Sequence, residues 1–342
     1  MVFEKLFSAE KLQKSFLYAM LVGILSSILG IFIAKMLFGA NAGIASVMFT
    51  SILLIPLLRD LFKKQEEIEK NETKINLKQV FTDNKTTLKT YCAVFVGVFL
   101  TYYLISFIGL ILGFNVISIL REQLFMDAAL IGHASNGSGI FVGILQNNWW
   151  VLIASFLLSV VAGSGGALFV VWNISTWAAI FGYRAAAAAY VLNVNPLVSA
   201  SVIQGITLPH TIIEGLAYVI ASLAGVLLSR YVISSKKNVL TFIFSFIGLL
   251  LVFFLFAFLL KMALSGLLLT FVLMILFVGL FGLLRFVFKN DKHKLIFEYN
   301  YYLLIGALLI FIVGAIIESV LLSNSTILNK YYSAAYIYAT LK

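Results

Sequence analysis

The feature that most constrains this chain is a succession of apolar runs, each about as long as a bilayer is thick. Uncharged or nearly uncharged windows of roughly 20 residues mark membrane-crossing helices. They occur near 15–38, 42–58, 90–114, 147–171, 174–192, 209–229, 239–260, 263–284 and 299–321. The bilayer core offers the backbone no water, so each run must satisfy its own N–H and C=O groups, and a helix does so within one segment. The short alternating strands of a membrane barrel are not in the sequence. Composition agrees, with 62% hydrophobic and 11% charged residues, against about 45–50% and 25% in soluble domains. The expected fold is all-α, a polytopic transmembrane helical bundle of about nine spans.

Lys and Arg alternate between the two sides of these spans. Residues 1–14 hold three, 59–89 hold eight, 230–237 hold three and 285–294 hold four, which puts 18 of the 24 on one side. Positive residues stay in the cytoplasm, so the N-terminus is expected inside and the C-terminus outside, in a multi-pass protein of the cell membrane. The net charge of +10 lies beside helix ends, where anionic headgroups account for it, and no nucleic-acid partner is expected. Asn136 and Asn324 begin Asn-x-Ser/Thr sequons expected outside; Asn71 and Asn84 begin sequons expected inside. The single cysteine, Cys92, permits no intrachain disulfide.

The organisation then reads as an N-terminal hairpin over 1–58, a charged cytoplasmic helix or linker over 59–89, and a core over 90–237 with an outer loop at 115–146. C-terminal helices follow over 238–322, and an external tail over 323–342. Within the loop, Ile117, Leu120 and Leu124 share one helical face over Val116–Phe125, as in a helix lying in the interface; Gly132–Gly139 then breaks it.

The densest information lies between Gln146 and Arg230. Asn147, Asn148, Trp149 and Trp150 suit a membrane interface. Gly163, Gly165, Gly166, Thr176 and Gly182 are small residues that let helix backbones approach closely. Asn173, between two spans with almost no loop, reads as a helix cap. The uncharged stretch Asn193–Pro209 reads as a re-entrant segment or as a surface loop. Pro209 suits the first turn of the next helix, which carries His210 and Glu214 on one face.

The ordered series Asn147-Asn148, a glycine-rich span with Gly163 and Gly166, Trp172-Asn173, then Leu208-Pro209-His210 and Ile213-Glu214 resembles the stage II sporulation protein M family of integral membrane proteins, and Ile316-Ile317-Glu318 resembles its longer archaeal members. Ile174 and Ser175 stand where a glycine is common after the asparagine, Thr211 replaces the glycine after the histidine, and the spans over 239–284 are additional. The resemblance implies a non-enzymatic scaffold that recruits or organises envelope proteins, or copies of itself, with no cofactor.

Ionisable groups inside spans are expensive and mark interior or water-facing positions. Arg184, His210, Glu214 and Glu318 qualify. One reading is a polar cluster, Glu214 pairing with Arg184 or His210, that conducts a proton or holds a polar ligand in a transporter or channel. The other is a set of structural pairs that fix helix order. Catalysis finds no support. His210 and Glu214 do not form an H-E-x-x-H pair, and His133 and His293 lie on opposite sides, so no three-histidine zinc site assembles. Ser159 and Ser164 read as packing residues, and no Walker or dinucleotide glycine pattern occurs.

Overall fold

A computed structural model describes residues 9–39, 42–70, 77–116, 119–120, 138–232, 236–288, 291–324 and 326–341. The chain order is α1 (Ala9–Lys14), α2 (Phe16–Phe38), α3 (Ala42–Lys70), α4 (Leu77–Ile111), α5 (Ser138–Ala162), α6 (Ala167–Leu192), α7 (Pro196–Val232), α8 (Lys236–Ala263), α9 (Gly266–Leu283), α10 (Asp291–Asn324) and α11 (Thr326–Leu341). Among the described residues, eight helical stretches are long and apolar enough to cross a membrane, and the chain is accordingly an integral membrane protein. One of the eight, Ile140–Leu192, is 53 residues long. At 1.5 Å per residue a straight helix of that length would run about 80 Å. It is not straight. A 3-10 turn over Gly163–Gly166 separates α5 from α6, and Gly163 takes φ +56°, a conformation that costs any residue with a Cβ.

Contacts fix the direction of each helix. α3 runs opposite to α4, because Gln65 meets Thr87 while Ser46 meets Tyr102. α7 runs opposite to α4, since Tyr91 meets Ser222 and Tyr103 lies beside Gln204. α5 and α7 are parallel: Asn148 faces Glu214, Ser159 faces Ser222, and Gly163 faces Ser229. α6 returns antiparallel to α7, with Ala185 at Ser199 and Trp177 at Tyr218. Phe253–Phe277 and Phe246–Phe281 set α8 against α9. Phe281–Phe297 and Tyr301–Val278 set α9 against α10. Trp149–Phe277 and Phe156–Phe281 set α9 parallel to α5, and Gly30 of α2 lies by Ser46 and Thr50 of α3 while Glu10, ahead of α2, feels the charge of Lys64; successive helices from α2 to α10 therefore alternate in direction.

Lipid is as apolar as leucine, so van der Waals fit and interhelical hydrogen bonds hold such helices together. At the α2–α4 crossing a Cβ on Gly23 would strike the Val94 carbonyl, and one on Gly97 the Met20 carbonyl. Backbone meets backbone there. Gly182 does the same for α6 against Tyr103 of α4. Thr176 donates to the Trp172 carbonyl within α6.

Several boundaries differ from the sequence expectation. The break between the fourth and fifth runs lies at Gly163–Gly166, and Asn173 sits inside α6, donating to the Phe169 carbonyl at 2.9 Å instead of capping a helix. Asn193–Pro209 is neither re-entrant nor a loop. The turn between α6 and α7 is confined to Asn193–Asn195: Asn193 adopts φ 51°, Val194 N donates to the Ala189 carbonyl, and Asn195 Oδ1 accepts from Leu197 N. Pro196 opens α7, and Pro209 is interior to it. A proline fixes φ in the helical range and there removes one backbone bond, and the flanking turns of α7 carry the helix through. Most of the 323–342 segment, expected as an external tail, is α11. Tyr338 of α11 packs edge-on to Tyr183 and Tyr190 of α6. Of the charged segment over 59–89, residues up to Lys70 continue α3 and those from Leu77 open α4, while residues 71–76 lie outside the described residues. Of the expected interfacial helix over Val116–Phe125, residues 117–118 and 121–125 likewise lie outside the described residues; within it, Val116 and Leu120 are buried.

Candidate functional site: a carboxyl pair clasped by an asparagine

α7 presents His210, Glu214, Tyr218 and Ser222 four residues apart, hence on one face. That face turns inward: all four are buried. α10 can reach it because Gly314 has no side chain; a Cβ there would lie 2.6 Å from Glu214 Cγ. One turn further along α10, Glu318 arrives level with the Glu214 carboxyl. α5 completes the site. Asn148 Nδ2 donates to Glu214 Oε2 at 3.0 Å and to Glu318 Oε2 at 3.2 Å, while its Oδ1 accepts from Asn147 Nδ2 at 3.0 Å. One amide group thus joins three helices through two carboxyl groups.

Two carboxylates this close in apolar surroundings repel strongly, so the arrangement stands only with a proton or cation to offset the charge. The one donor shown between them is a neutral amide. Glu214 is 1% exposed and its Oε1 has no hydrogen-bond partner. Glu318 is only half-buried, and Gln146 and Asn147 beside the clasp are exposed, so the site is reached from the end of the bundle where α5 begins. Deeper along α7, the fully buried Tyr218 hydroxyl has no partner and feels both carboxyl groups electrostatically. Next, Ser222 joins the Tyr91 hydroxyl at 3.1 Å and Ser159 Oγ at 2.9 Å.

Of the four intramembrane ionisable residues, Glu214 and Glu318 meet, and His210 lies one turn before Glu214 with Nδ1 unpartnered. Arg184 does not join them. Its guanidinium stands 3.7 Å from the Tyr332 ring centroid, in the contact between α6 and α11. An Arg184–Glu214 pair is therefore replaced by an Asn148-bridged Glu214–Glu318 pair, because α10 and not α6 packs its small residue onto Glu214. Of the motif residues, Asn148 turns out to be a site residue and Asn147 its support; Gly166 packs on Ser159, and Gly163 makes the turn. Tyr218 and Ser222 were not singled out by the sequence reading, although they continue the four-residue repeat from His210. Among the described residues, no three His, Cys, Asp or Glu side chains converge as a metal site. Comparison with models of protein families, with curated proteins and with solved structures gives no match for this chain.

Proposed function

We propose that this chain moves protons across the membrane, as a transporter or channel whose working site is the Glu214–Glu318 pair. The observation that carries the reading is the clasp itself: two carboxyl groups inside the bundle, joined by one amide and half-open at one end. Ionisable groups in such positions are costly and are kept where ions or protons pass. One of the two carboxyl groups carries a proton, and losing or gaining it alters what holds α10 to α5 and α7. The reading includes nine crossings, with α5 and α6 as separate spans. Each is long enough at 25 and 26 residues, and the alternating directions put Lys14, Lys63, Lys64, Lys78, Lys236 and Lys294 at one end. That end is the cytoplasmic one.

The test is the full chain in vesicles enclosing a pH-sensitive dye, with an imposed potential. Wild type conducts protons above empty vesicles, and Glu214→Gln and Glu318→Gln each lower the rate at least tenfold. Wild-type vesicles as tight as empty ones would overturn the reading. A second reading, a non-enzymatic scaffold of the sporulation-protein-M type, is favoured by the tight seating of α10 on Glu214 at Gly314. It predicts tight vesicles and envelope proteins crosslinked through the 115–146 loop.

A further inference from the structure

The clasp is one step in a longer buried row. Along α7, His210, Glu214, Tyr218, Ser222 and Ser229 face the interior. From His210 to Ser229 the helix rises about 28 Å at 1.5 Å per residue, close to the roughly 30 Å of a bilayer's hydrocarbon core. If such a stripe served helix packing alone, its polar atoms would be tied to neighbouring helices. Four of the five carry a buried polar atom without a hydrogen-bond partner: His210 Nδ1, Glu214 Oε1, the Tyr218 hydroxyl and Ser229 Oγ. The fifth, Ser222, is tied to Ser159 of α5. Ser159 in turn lies against Gly166, and Ser229 against Gly163, both in the 3-10 turn between α5 and α6. That turn is half-exposed at Gly163–Gly165.

We infer that this row is the proton route, entering at Glu318 and Asn147, passing Glu214, Tyr218, Ser222 and Ser159, and leaving at the Gly163–Gly166 turn beside Ser229. The inference rests on the proton-transport reading and adds its path. Residues four apart on a helix have Cβ atoms about 5–6 Å from one another, so their polar ends are neighbours that a water can join. In each hop along α7 an O–H bond on one group breaks as an O–H bond forms on the bridging water, which passes its own proton to the next oxygen; Ser222 and Ser159, bonded directly at 2.9 Å, need no water between them. Glu214 gives up a proton to Tyr218, Tyr218 gives its own to Ser222, and Ser222 to Ser159. The last proton goes to water at the turn; Glu318 takes one from water at the entrance and passes it to the emptied Glu214. Every group ends as it began, and no oxidant or reductant is involved.

The experiment uses the same vesicles with three further variants. Tyr218→Phe and Ser222→Ala, each removing only a hydroxyl from the row, lower the proton rate at least tenfold. Ser201→Ala, on the exposed side of α7, keeps the wild-type rate. Thermal unfolding in detergent accompanies each variant; should Tyr218→Phe unfold early, Ser159→Ala decides in its place. Row variants at the wild-type rate, with Glu214→Gln inactive, would overturn the route and leave the carboxyl site standing. Wild-type vesicles without proton flux would overturn both.

Discussion

Replacing Asn148 by leucine, a side chain of similar size, removes the one group that bonds both carboxyl groups. Two hydrogen bonds go, at 3.0 and 3.2 Å. In water, bonds to charged partners would be worth about 1.5–3 kcal/mol each. Inside membranes the unfolded reference state also finds partners, and measured side-chain bonds average about 0.6 kcal/mol with a maximum near 1.7. The membrane figure governs here, so Asn148→Leu destabilises the chain by about 1–3 kcal/mol. Reversible unfolding in lipid nanodiscs measures it. A double-mutant cycle with Glu318→Gln separates the bond from simple loss of size, and residues in direct contact show couplings of at least about 0.5 kcal/mol. A loss under about 0.5 kcal/mol, or a coupling indistinguishable from zero, would refute the claim that this amide holds α5, α7 and α10 together.

Further perturbations reach other joints. Gly97→Ala sets a methyl against the Met20 carbonyl at the α2–α4 crossing and destabilises by about 1–3 kcal/mol; Gly143→Ala, where nothing lies within 4 Å, lowers the unfolding temperature not at all. Gly163→Ala, at φ +56°, destabilises by about 1–2 kcal/mol in the same unfolding measurement. Tyr332→Ala removes the ring under Arg184 and speeds protease cleavage within α11, whereas Tyr332→Phe keeps the aromatic face and the wild-type cleavage rate.

Much of the architecture was legible because a bilayer leaves a chain few options. Runs of apolar residues near 239–260 and 263–284 appear as α8 and α9 almost unchanged, since nothing but length and hydropathy sets their ends. Around Asn173 and Pro209 the reading failed. The sequence there holds no charge to mark a helix end, and in place of a loop the chain turns at a glycine with positive φ and at Asn193–Asn195. Glu214 and Glu318 were legible as groups too costly to leave in lipid. Their meeting was not, because it depends on Gly314 letting α10 close on α7, a contact between positions 100 residues apart in sequence. Asn148 stood out through its paired asparagine but not as a bridge. Arg184 was one of two candidate partners for Glu214; its place against Tyr332 was not legible, since an arginine inside a span can be held as well by an aromatic face as by a carboxylate.

The claim on which all of this turns is that the Glu214–Glu318 pair holds a proton. Infrared spectroscopy of the chain in lipid at neutral pH reads it directly, through the carbonyl stretch of a protonated carboxyl group. The account predicts such a band in wild type, and its loss in the variant carrying both Glu214→Gln and Glu318→Gln. A wild-type spectrum without the band, or one in which the band survives both substitutions, would contradict it.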